Sequence, residues 1–243
     1  MGEHTVLVTG ATGGIGEAVA YQLASDGYHL QLHYNLNREK ALEIQRTIID
    51  KFDVDVQILQ ADLSTSAGPY HLLEQLTPKP SILVHSAGLA HHALFQDVSS
   101  EDYERMIQLH VTSPFILTQK LLPSLLSRKW GRIIFITSIW AATGAANESL
   151  YAMAKGGMTS LMKSLALELG PSGITVNAVA PGAIDTSMNH VLSEEERIEI
   201  SSQIPIGRFG TADEVAHSVA FLLHAKSAYI TGQTLQINGG WHM

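Results

Sequence analysis

The chain has 243 residues, of which 45% are hydrophobic, and a formal net charge of −8. A chain of this length and composition can bury a sizeable core, which argues against disorder. The negative charge argues against nucleic acid as a partner, because an acidic surface repels phosphates. There is no cysteine, so disulfides and thiolate metal sites are excluded.

Two further classes of protein are disfavoured by sequence pattern. None of the twelve histidines has the pairing around a Glu that a zinc-binding helix needs, so we expect no metal site. The chain has neither a signal-peptide pattern nor an apolar run of membrane-spanning length. We therefore expect a cytoplasmic protein with no membrane partner.

Short β-branched runs alternate with longer helical patterns along the whole chain. This alternation predicts an α/β fold: a Rossmann-type, doubly wound parallel sheet of seven strands with helices on both faces, in one domain over residues 1–243. The predicted strands are Thr5–Thr9, His29–His33, Asp55–Leu59, Ile82–His85, Arg132–Thr137, Thr175–Ala178 and Thr234–Ile237. The predicted helices are Ile15–Ser25, Arg38–Lys51, Asp102–Leu126, Tyr151–Leu169 and Ala212–Leu223.

Within this domain we expect residues 1–130 to form a cofactor-binding half and residues 131–243 a catalytic and substrate half. The segment from Pro181 to Gly210 departs from the alternation, because the β-branched pattern of a strand ends there and a short acidic helix, Ser193–Gln203, follows. Its position after a strand predicts a mobile lid over a site, at about residues 185–210. The alternative is a surface excursion with no role in binding.

The turn Thr9–Gly16 lies between the first strand and the first helix, where a glycine cluster indicates phosphate binding. Gly10 and Gly14 allow a tight turn and close approach to a pyrophosphate, and Gly16 allows the helix to pack near the strand. The helix N-terminus adds positive partial charge. The alternative is an ordinary glycine-rich turn.

Residues after the second and third strands indicate which dinucleotide binds. The second strand ends without an Asp or Glu to hold the ribose hydroxyls of NAD, whereas Asn35, Asn37 and Arg38 could contact a 2′-phosphate. This favours NADP(H) over NAD(H). After the third strand, Asp62 could accept a bond from the adenine amino group or cap a helix that starts near Ser64.

Tyr151 and Lys155 are four residues apart on a predicted helix, so both project from one face. Ser138 follows the fifth strand, beside the expected crevice. A nearby Lys155 ammonium should lower the pKa of Tyr151, which would then protonate a carbonyl oxygen as hydride arrives while Ser138 holds that oxygen. The alternative is a surface aromatic residue and a solvated charge.

With these motifs the sequence resembles the short-chain dehydrogenase/reductase family from end to end. Its C-terminal part is most similar to the 3-oxoacyl-[acyl-carrier-protein] reductases, on the runs Gly173–Gly182 and Ala228–Gly240. The resemblance implies homotetramers and, with the residues already named, a catalytic Ser138, Tyr151 and Lys155. It implies a cofactor site made of Gly10, Thr12, Gly13, Gly14, Ile15, Gly16, Asn35, Arg38, Asp62, Leu63, Ser86, Ala87, Gly88, Tyr151, Lys155, Pro181, Gly182, Ile184 and Thr186.

Two departures from the family pattern concern histidines. The run His85-Ser86-Ala87-Gly88 stands where the family usually has Asn-Asn-Ala-Gly, and His110 stands where it usually has a catalytic Asn. Imidazole could act there as a proton carrier, or the proton route could be altered. His110 is therefore a candidate site residue without an assigned role.

The leading hypothesis is NADPH-dependent reduction of a 3-oxoacyl thioester, carried by acyl carrier protein, to the 3-hydroxyacyl form in fatty acid synthesis. The basic run Arg128–Arg132 is either a landing area for the acidic carrier or an ordinary solvated helix end. Alternatives are a dehydrogenase acting on a sugar, steroid or small alcohol, and a cofactor-sensing binding protein with little turnover.

Overall fold

Seven parallel strands form one sheet in the order β3-β2-β1-β4-β5-β6-β7, in a computed structural model that describes residues 4–189 and 192–242. The strand order runs outward from β1 to β3 on one side and from β4 to β7 on the other. The connections before and after this point lead in opposite directions, which leaves a crevice at the carboxyl ends of β1 and β4. The strands are β1 (Thr5–Thr9), β2 (His29–Tyr34), β3 (Val56–Gln60), β4 (Ile82–His85), β5 (Gly131–Ile136), β6 (Ile174–Pro181) and β7 (Thr234–Ile237).

Helices connect the strands. They are α1 (Gly14–Ser25), α2 (Arg38–Lys51), α3 (Gly68–Gln75), α4 (Ser100–Ile107), α5 (Ser113–Arg128), α6 (Trp140–Thr143), α7 (Ser149–Leu169), α8 (Glu194–Gln203) and α9 (Ala212–Leu223). No helix among the described residues is both long and apolar enough to cross a membrane.

Strand periodicity divides the core between the two faces of the sheet. Val6 and Val8 of β1 pack with Leu23 of α1 on one face, whereas Leu7 packs with Leu117 of α5 on the other. Successive side chains of a strand point to opposite faces, so a strand covered on both sides is apolar throughout. The predicted single-domain, doubly wound fold is confirmed.

The seven predicted strands are confirmed with small changes at their ends. β6 is the largest change: it continues to Pro181 because its last residues pair with β7, where Pro181 lies opposite Ile237. The predicted helix at Ser193 begins one residue later, since Ser193 caps it through a reciprocal capping box with Glu196. The helices α3 and α6 were not predicted.

The predicted helix Asp102–Leu126 is instead two α-helices joined by a π-helical turn over Gln108–Thr112. Pro114, the second residue of α5, has no N–H to bond the carbonyl of His110 four residues earlier. The backbone is therefore free to widen there, and π turns of this kind are frequent at functional sites. The turn brings His110 to the crevice.

Candidate active site

A cavity of about 590 Å³ opens at the crevice between β1 and β4. Every site residue predicted from the sequence lines it except Asn37 and Arg38. The structure thus brings together the glycine turn, the loop after β4, the three proposed catalytic side chains and the segment after β6. Residues that line the cavity but were not predicted are His33, Ser64, Leu89, Ala90, Arg105, Leu109, Ile136, Thr137, Ser187 and Asn189.

The glycine turn is shaped to receive a dinucleotide phosphate. Gly10 has a φ of +69°, and a Cβ there would stand 2.7 Å from the Cα of Ala87. A Cβ on Gly16 would stand 2.2 Å from the carbonyl oxygen of Gly10. These approaches require glycine, and they leave the N-terminus of α1 facing the cavity, where its free N–H groups suit an anion.

The loop after β4 is tied to β1 by one hydroxyl. Thr9 Oγ1 accepts hydrogen bonds from the N–H groups of Ser86 and Ala87, both at 3.1 Å. Ser86-Ala87-Gly88 is thereby held against the glycine turn, as expected of a segment that covers a bound dinucleotide. A nicotinamide dinucleotide fits this donor set, because backbone N–H groups and small side chains surround the cavity.

His33, at the end of β2, is a site residue that sequence reasoning missed. Its Nδ1 accepts the N–H of Gly10 at 3.0 Å, and its Nε2 lies 3.0 Å from the carbonyl oxygen of Ala61. One nitrogen must accept and the other must donate, so the ring is neutral with its proton on Nε2. Burial lowers the pKa of His33 to about 4, in agreement with a neutral ring.

The residues proposed for the adenosine end of the cofactor lie beside His33. Asp62 Oδ1 accepts the N–H and the hydroxyl of Ser64 at 2.9 and 2.6 Å, and the Asn35 amide at 3.3 Å. Asp62 therefore caps a turn at Ser64, while α3 begins only at Gly68. Arg38 is exposed as the first residue of α2 and lies outside the cavity, and Asn37 caps that helix through the N–H of Lys40.

Ser138, Tyr151 and Lys155 meet at the opposite end of the cavity. Tyr151 hydrogen-bonds to Ser138, whose Oγ also accepts the N–H of Trp140 at 3.2 Å. Lys155 Nζ donates to the carbonyl oxygen of Ile136 at 2.9 Å and lies 5.5 Å from the centroid of the Tyr151 ring. Tyr151 and Lys155 lie about one turn apart on α7, and Ser138 follows the end of β5.

Burial governs the proton affinities of this group. It raises the pKa of Tyr151 above its ordinary value, helped by the charge of Glu148 and opposed by the hydrogen bond to Ser138. Burial also lowers the pKa of Lys155 to about 7. The expectation that Lys155 lowers the pKa of Tyr151 is therefore wrong for this structure, since Lys155 is already neutral at the pH where a phenol ionises.

His110 is fully buried and is held by the loop after β4. Its Nε2 lies 3.2 Å from the N–H nitrogen and 3.1 Å from the carbonyl oxygen of Leu89, and its ring meets Tyr151 edge-on at 5.7 Å. Its Nδ1 has no hydrogen-bond partner within the described residues. Burial, then the charge of Lys155, holds the pKa of His110 well below its usual range, which argues against a protonated carrier.

His85, the other departure from the family pattern, faces away from the chemistry. Its Nε2 lies 2.9 Å from the hydroxyl of Thr118, and its ring stacks on Phe135 with centroids 4.8 Å apart. Burial lowers the pKa of His85 to about 3. It packs beneath the loop that carries Ser86.

The segment after β6 reaches back over the cavity. Ile184 and Thr186 line it, and a Cβ on Gly14 would stand 2.7 Å from the Thr186 methyl group. This is the start of the predicted lid, residues 185–210, of which His190 and Val191 lie outside the described residues. Lid motion stays a prediction. Within this segment Arg197 donates a hydrogen bond to Asp185 at 3.0 Å.

The basic run Arg128–Arg132 lies away from this site within the chain. It leads into the amino end of β5, whereas Ser138 follows the carboxyl end of that strand. Arg132 is buried and bonds the carbonyl oxygen of Gly131 at 2.8 Å. The geometry of one chain therefore gives no support to a landing area beside the cavity mouth.

A crevice in a doubly wound sheet, lined by a glycine turn and by a Ser–Tyr–Lys group, is typical of a nicotinamide-dependent oxidoreductase. Residues 10–242 match the family model described as Enoyl-(Acyl carrier protein) reductase. The chain is 48% identical to the uncharacterized oxidoreductase YmfI of Bacillus subtilis (strain 168), over 98% of each protein. It is 38% identical to the 3-oxoacyl-[acyl-carrier-protein] reductase FabG of Aquifex aeolicus (strain VF5), over 96% of this chain and 95% of FabG.

A solved structure also indicates an oxidoreductase that binds a nicotinamide dinucleotide. The putative NAD(P)-dependent gluconate 5-dehydrogenase of Beutenbergia cavernae, with bound NADP, superposes with a TM-score of 0.94 at 29% identity, over 99% of this chain and 97% of that one. The chain therefore belongs to the short-chain dehydrogenase/reductase family and is an NAD(P)-dependent oxidoreductase. The substrates in the names of these relatives are said of those proteins alone.

Proposed function

We propose that the protein catalyses NADPH-dependent reduction of a 3-oxoacyl thioester, carried by acyl carrier protein, to the 3-hydroxyacyl form in fatty acid synthesis. One observation carries the chemistry: the half-buried Tyr151 side chain is hydrogen-bonded to Ser138 and flanked by Lys155, in a cavity that the glycine turn also lines. The substrate class is supported by the FabG of Aquifex aeolicus, which matches this chain almost from end to end.

The reduction adds a hydride to the carbonyl carbon and a proton to the carbonyl oxygen. Bound NADPH supplies the hydride. Ser138 donates a hydrogen bond to the carbonyl oxygen, and Tyr151 gives that oxygen its proton. Because burial keeps Tyr151 a neutral phenol, the side chain is in the form that reduction requires. Lys155, with a pKa of about 7, can then return a proton toward Tyr151.

The proposed roles of the remaining residues follow from their contacts. His110 stays neutral and positions Leu89, whose loop lines the cavity. The glycine turn and the loop after β4 hold the dinucleotide. NADP(H) is favoured over NAD(H) because Asn35 directly follows β2, where an acidic residue would hold the ribose hydroxyls of NAD. Arg38 would have to swing toward the cavity to contact a 2′-phosphate. The gluconate dehydrogenase relative contains NADP.

A homotetramer belongs to this proposal. The exposed large apolar side chains include Tyr103, Phe115 and Leu167 on α4, α5 and α7, and Phe221 and Tyr229 near α9 and β7. Exposed apolar groups of this kind mark protein interfaces. Two such faces suit an assembly with two kinds of contact. A cytoplasmic location and an acyl carrier protein as partner also remain part of the proposal.

The test is spectrophotometric. We expect purified protein to consume NADPH when acetoacetyl thioester is added, with NADH the poorer cofactor. Tyr151→Phe should lose about a hundredfold to ten-thousandfold in turnover, because general acid catalysis supplies 10²–10⁴-fold, while NADPH binding persists. No consumption of either cofactor, despite measurable binding, would contradict the proposal. A cofactor-sensing protein would instead keep its ligand response in Tyr151→Phe.

A sugar acid is the second candidate substrate. The observation in its favour is the close superposition with a protein named gluconate 5-dehydrogenase. The two candidates differ in charge, since gluconate carries a carboxylate and a thioester does not.

A further inference from the structure

Arg105, on α4, is a charged side chain in the wall of the cavity that none of the reaction steps proposed above uses. It is exposed, and its guanidinium has no hydrogen-bond or ion-pair partner within the described residues. Asp102, three residues earlier on α4, is engaged elsewhere, since its Oδ2 accepts a hydrogen bond from Ser99 and lies 3.5 Å from His91 Nε2. The charge of Arg105 is therefore available to a ligand in the cavity.

The other basic side chain of the cavity serves the carbonyl end. Among the described residues that line the cavity, Arg105 is the one arginine and Lys155 the one lysine. Lys155 stands beside Tyr151, with its Nζ 5.5 Å from the centroid of that ring. The adenosine half of NADP(H) carries phosphate groups, and Arg105 is the cation of the lining that remains for them.

Contacts of the helix that carries Arg105 show which way this side chain faces. Met106 and His110, four residues apart, are directed toward α7: Met106 packs in a cluster with Leu150, and the His110 ring meets Tyr151. Because successive residues of a helix point about 100° apart, Arg105 cannot share that face. It is directed away from the group that would hold the carbonyl.

Arg105 lies in line with Leu109, which also lines the cavity. Leu109 packs against the core cluster that contains Leu63. One turn further along, the Ser113 hydroxyl donates to the carbonyl oxygen of Leu63 at 2.7 Å. This side of the helix therefore runs along the wall formed by Leu63 and its neighbour Asp62, which is the end of the cavity assigned above to the adenosine half of the cofactor.

We infer that Arg105 is a cofactor-binding residue, whose guanidinium pairs with a phosphate of the adenosine half of NADP(H). An arginine suits this role because two parallel N–H groups can meet two phosphate oxygens. The inference rests on the proposed function in taking NADP(H) as the cofactor, but not in its choice of carbonyl substrate. It gives the adenosine half a cation inside the cavity, whereas Arg38 lies outside.

The test uses 2′,5′-ADP, which contains adenosine with a phosphate on each side and has no nicotinamide. It is titrated calorimetrically into the wild type and into Arg105→Met, so that only binding is measured. We expect Arg105→Met to bind it about tenfold more weakly, because one charge-assisted hydrogen bond is lost. NADPH should lose a similar factor, and Arg105→Lys should lie between the two proteins, since it keeps the charge but not the paired donors.

Two further variants and a change of salt separate this contact from other effects. Arg46→Met removes an exposed arginine of α2 that is outside the cavity lining, and its affinity for 2′,5′-ADP should equal that of the wild type. Arg38→Met removes the competing cation and should lose less affinity than Arg105→Met. Added salt screens charge pairs, so it should narrow the difference in affinity between the wild type and Arg105→Met.

A loss below about threefold in Arg105→Met would overturn the inference, as would a larger loss in Arg38→Met or a difference that salt leaves unchanged. Unchanged binding of 2′,5′-ADP with a raised KM for acetoacetyl thioester would place Arg105 on the substrate and would overturn it too. The proposed function fails by a different result, namely absence of thioester reduction by a wild type that still binds 2′,5′-ADP through Arg105.

Discussion

Replacing Lys155 with Met tests whether burial controls the proton affinity of the site. Lys155 is almost completely buried, and its Nζ donates to the carbonyl oxygen of Ile136. Methionine has similar length and no charge, so the change removes one titrating group and little volume. We expect turnover to be lost. We also expect the pH dependence of the free energy of unfolding to change, in the direction set by the lowered pKa of Lys155.

The size of the effect follows from the pKa of Lys155, which burial lowers from 10.5 to about 7. Each tenfold change in proton affinity is worth about 1.4 kcal/mol, so burying the ammonium at low pH costs about 5 kcal/mol. Between these two pKa values the unfolded chain binds the proton that the folded chain releases. The free energy of unfolding therefore rises with pH, by about 2 kcal/mol from pH 7 to pH 9.

Lys155→Met should remove that rise. Below pH 7 it should be the more stable protein, although part of the gain is offset because the carbonyl of Ile136 loses a hydrogen bond worth about 1–3 kcal/mol. The measurement is urea-induced unfolding of both proteins without cofactor at pH 7, 8 and 9. The quantity to follow is the difference in free energy of unfolding, in which groups common to both proteins cancel.

A difference that shrinks by about 2 kcal/mol over this range is the expected result. A difference that stays constant from pH 7 to pH 9 would refute the reasoning, because it would mean that Lys155 keeps an ordinary lysine pKa in the folded protein. Lys163→Met serves as the matched control, since Lys163 is exposed on the same helix and should leave the pH dependence unchanged.

Two histidines give further predictions. His110→Asn should keep turnover within about tenfold of the wild type, since a side-chain amide can also hydrogen-bond at Leu89. His110→Phe should destabilise the fold by about 1–3 kcal/mol, because the Leu89 group that Nε2 pairs, its N–H or its carbonyl according to the tautomer, is left unpaired. Steady-state rates and urea unfolding distinguish the two. His33→Phe removes the acceptor for the Gly10 N–H and should weaken NADPH binding about tenfold, a loss of roughly 1.4 kcal/mol. Calorimetry measures the binding, and unchanged affinity would show that the Gly10 turn does not depend on His33.

Local sequence signals were enough to predict the sheet and most of the cavity. Strands such as Ile82–His85 are short, apolar and bounded by loop residues, so their identity is fixed by composition. The spacing of the glycines in the glycine turn is visible in the sequence itself. Tyr151 and Lys155 share a helix face because they are four residues apart. These features depend on neighbours in sequence, which is why the structure brings the corresponding residues to one cavity.

Other features depend on contacts between distant segments. The role of His33 follows from the parallel pairing of β1 with β2, which sets Val8 opposite Leu32 and brings the next residues to the glycine turn. Nothing near His33 in the sequence reveals that pairing. Likewise, α3 begins with Gly68 and Pro69 and is only eight residues long, so its start has the composition of a loop.

The proton affinities were the hardest property to predict, because the sequence names charges but not their burial. A lysine four residues from a tyrosine predicts a lowered phenol pKa, yet desolvation reverses the outcome. The same burial holds His33 and His110 neutral.

The result is a site in which most titratable groups are held in their uncharged forms. In such surroundings a charge has more influence than it would in solvent. Lys155 carries such a charge at low pH and loses it as the pH rises through about 7. Binding of an anionic carbonyl compound beside Tyr151 should therefore weaken above pH 7, because the ammonium that would attract the anion is gone.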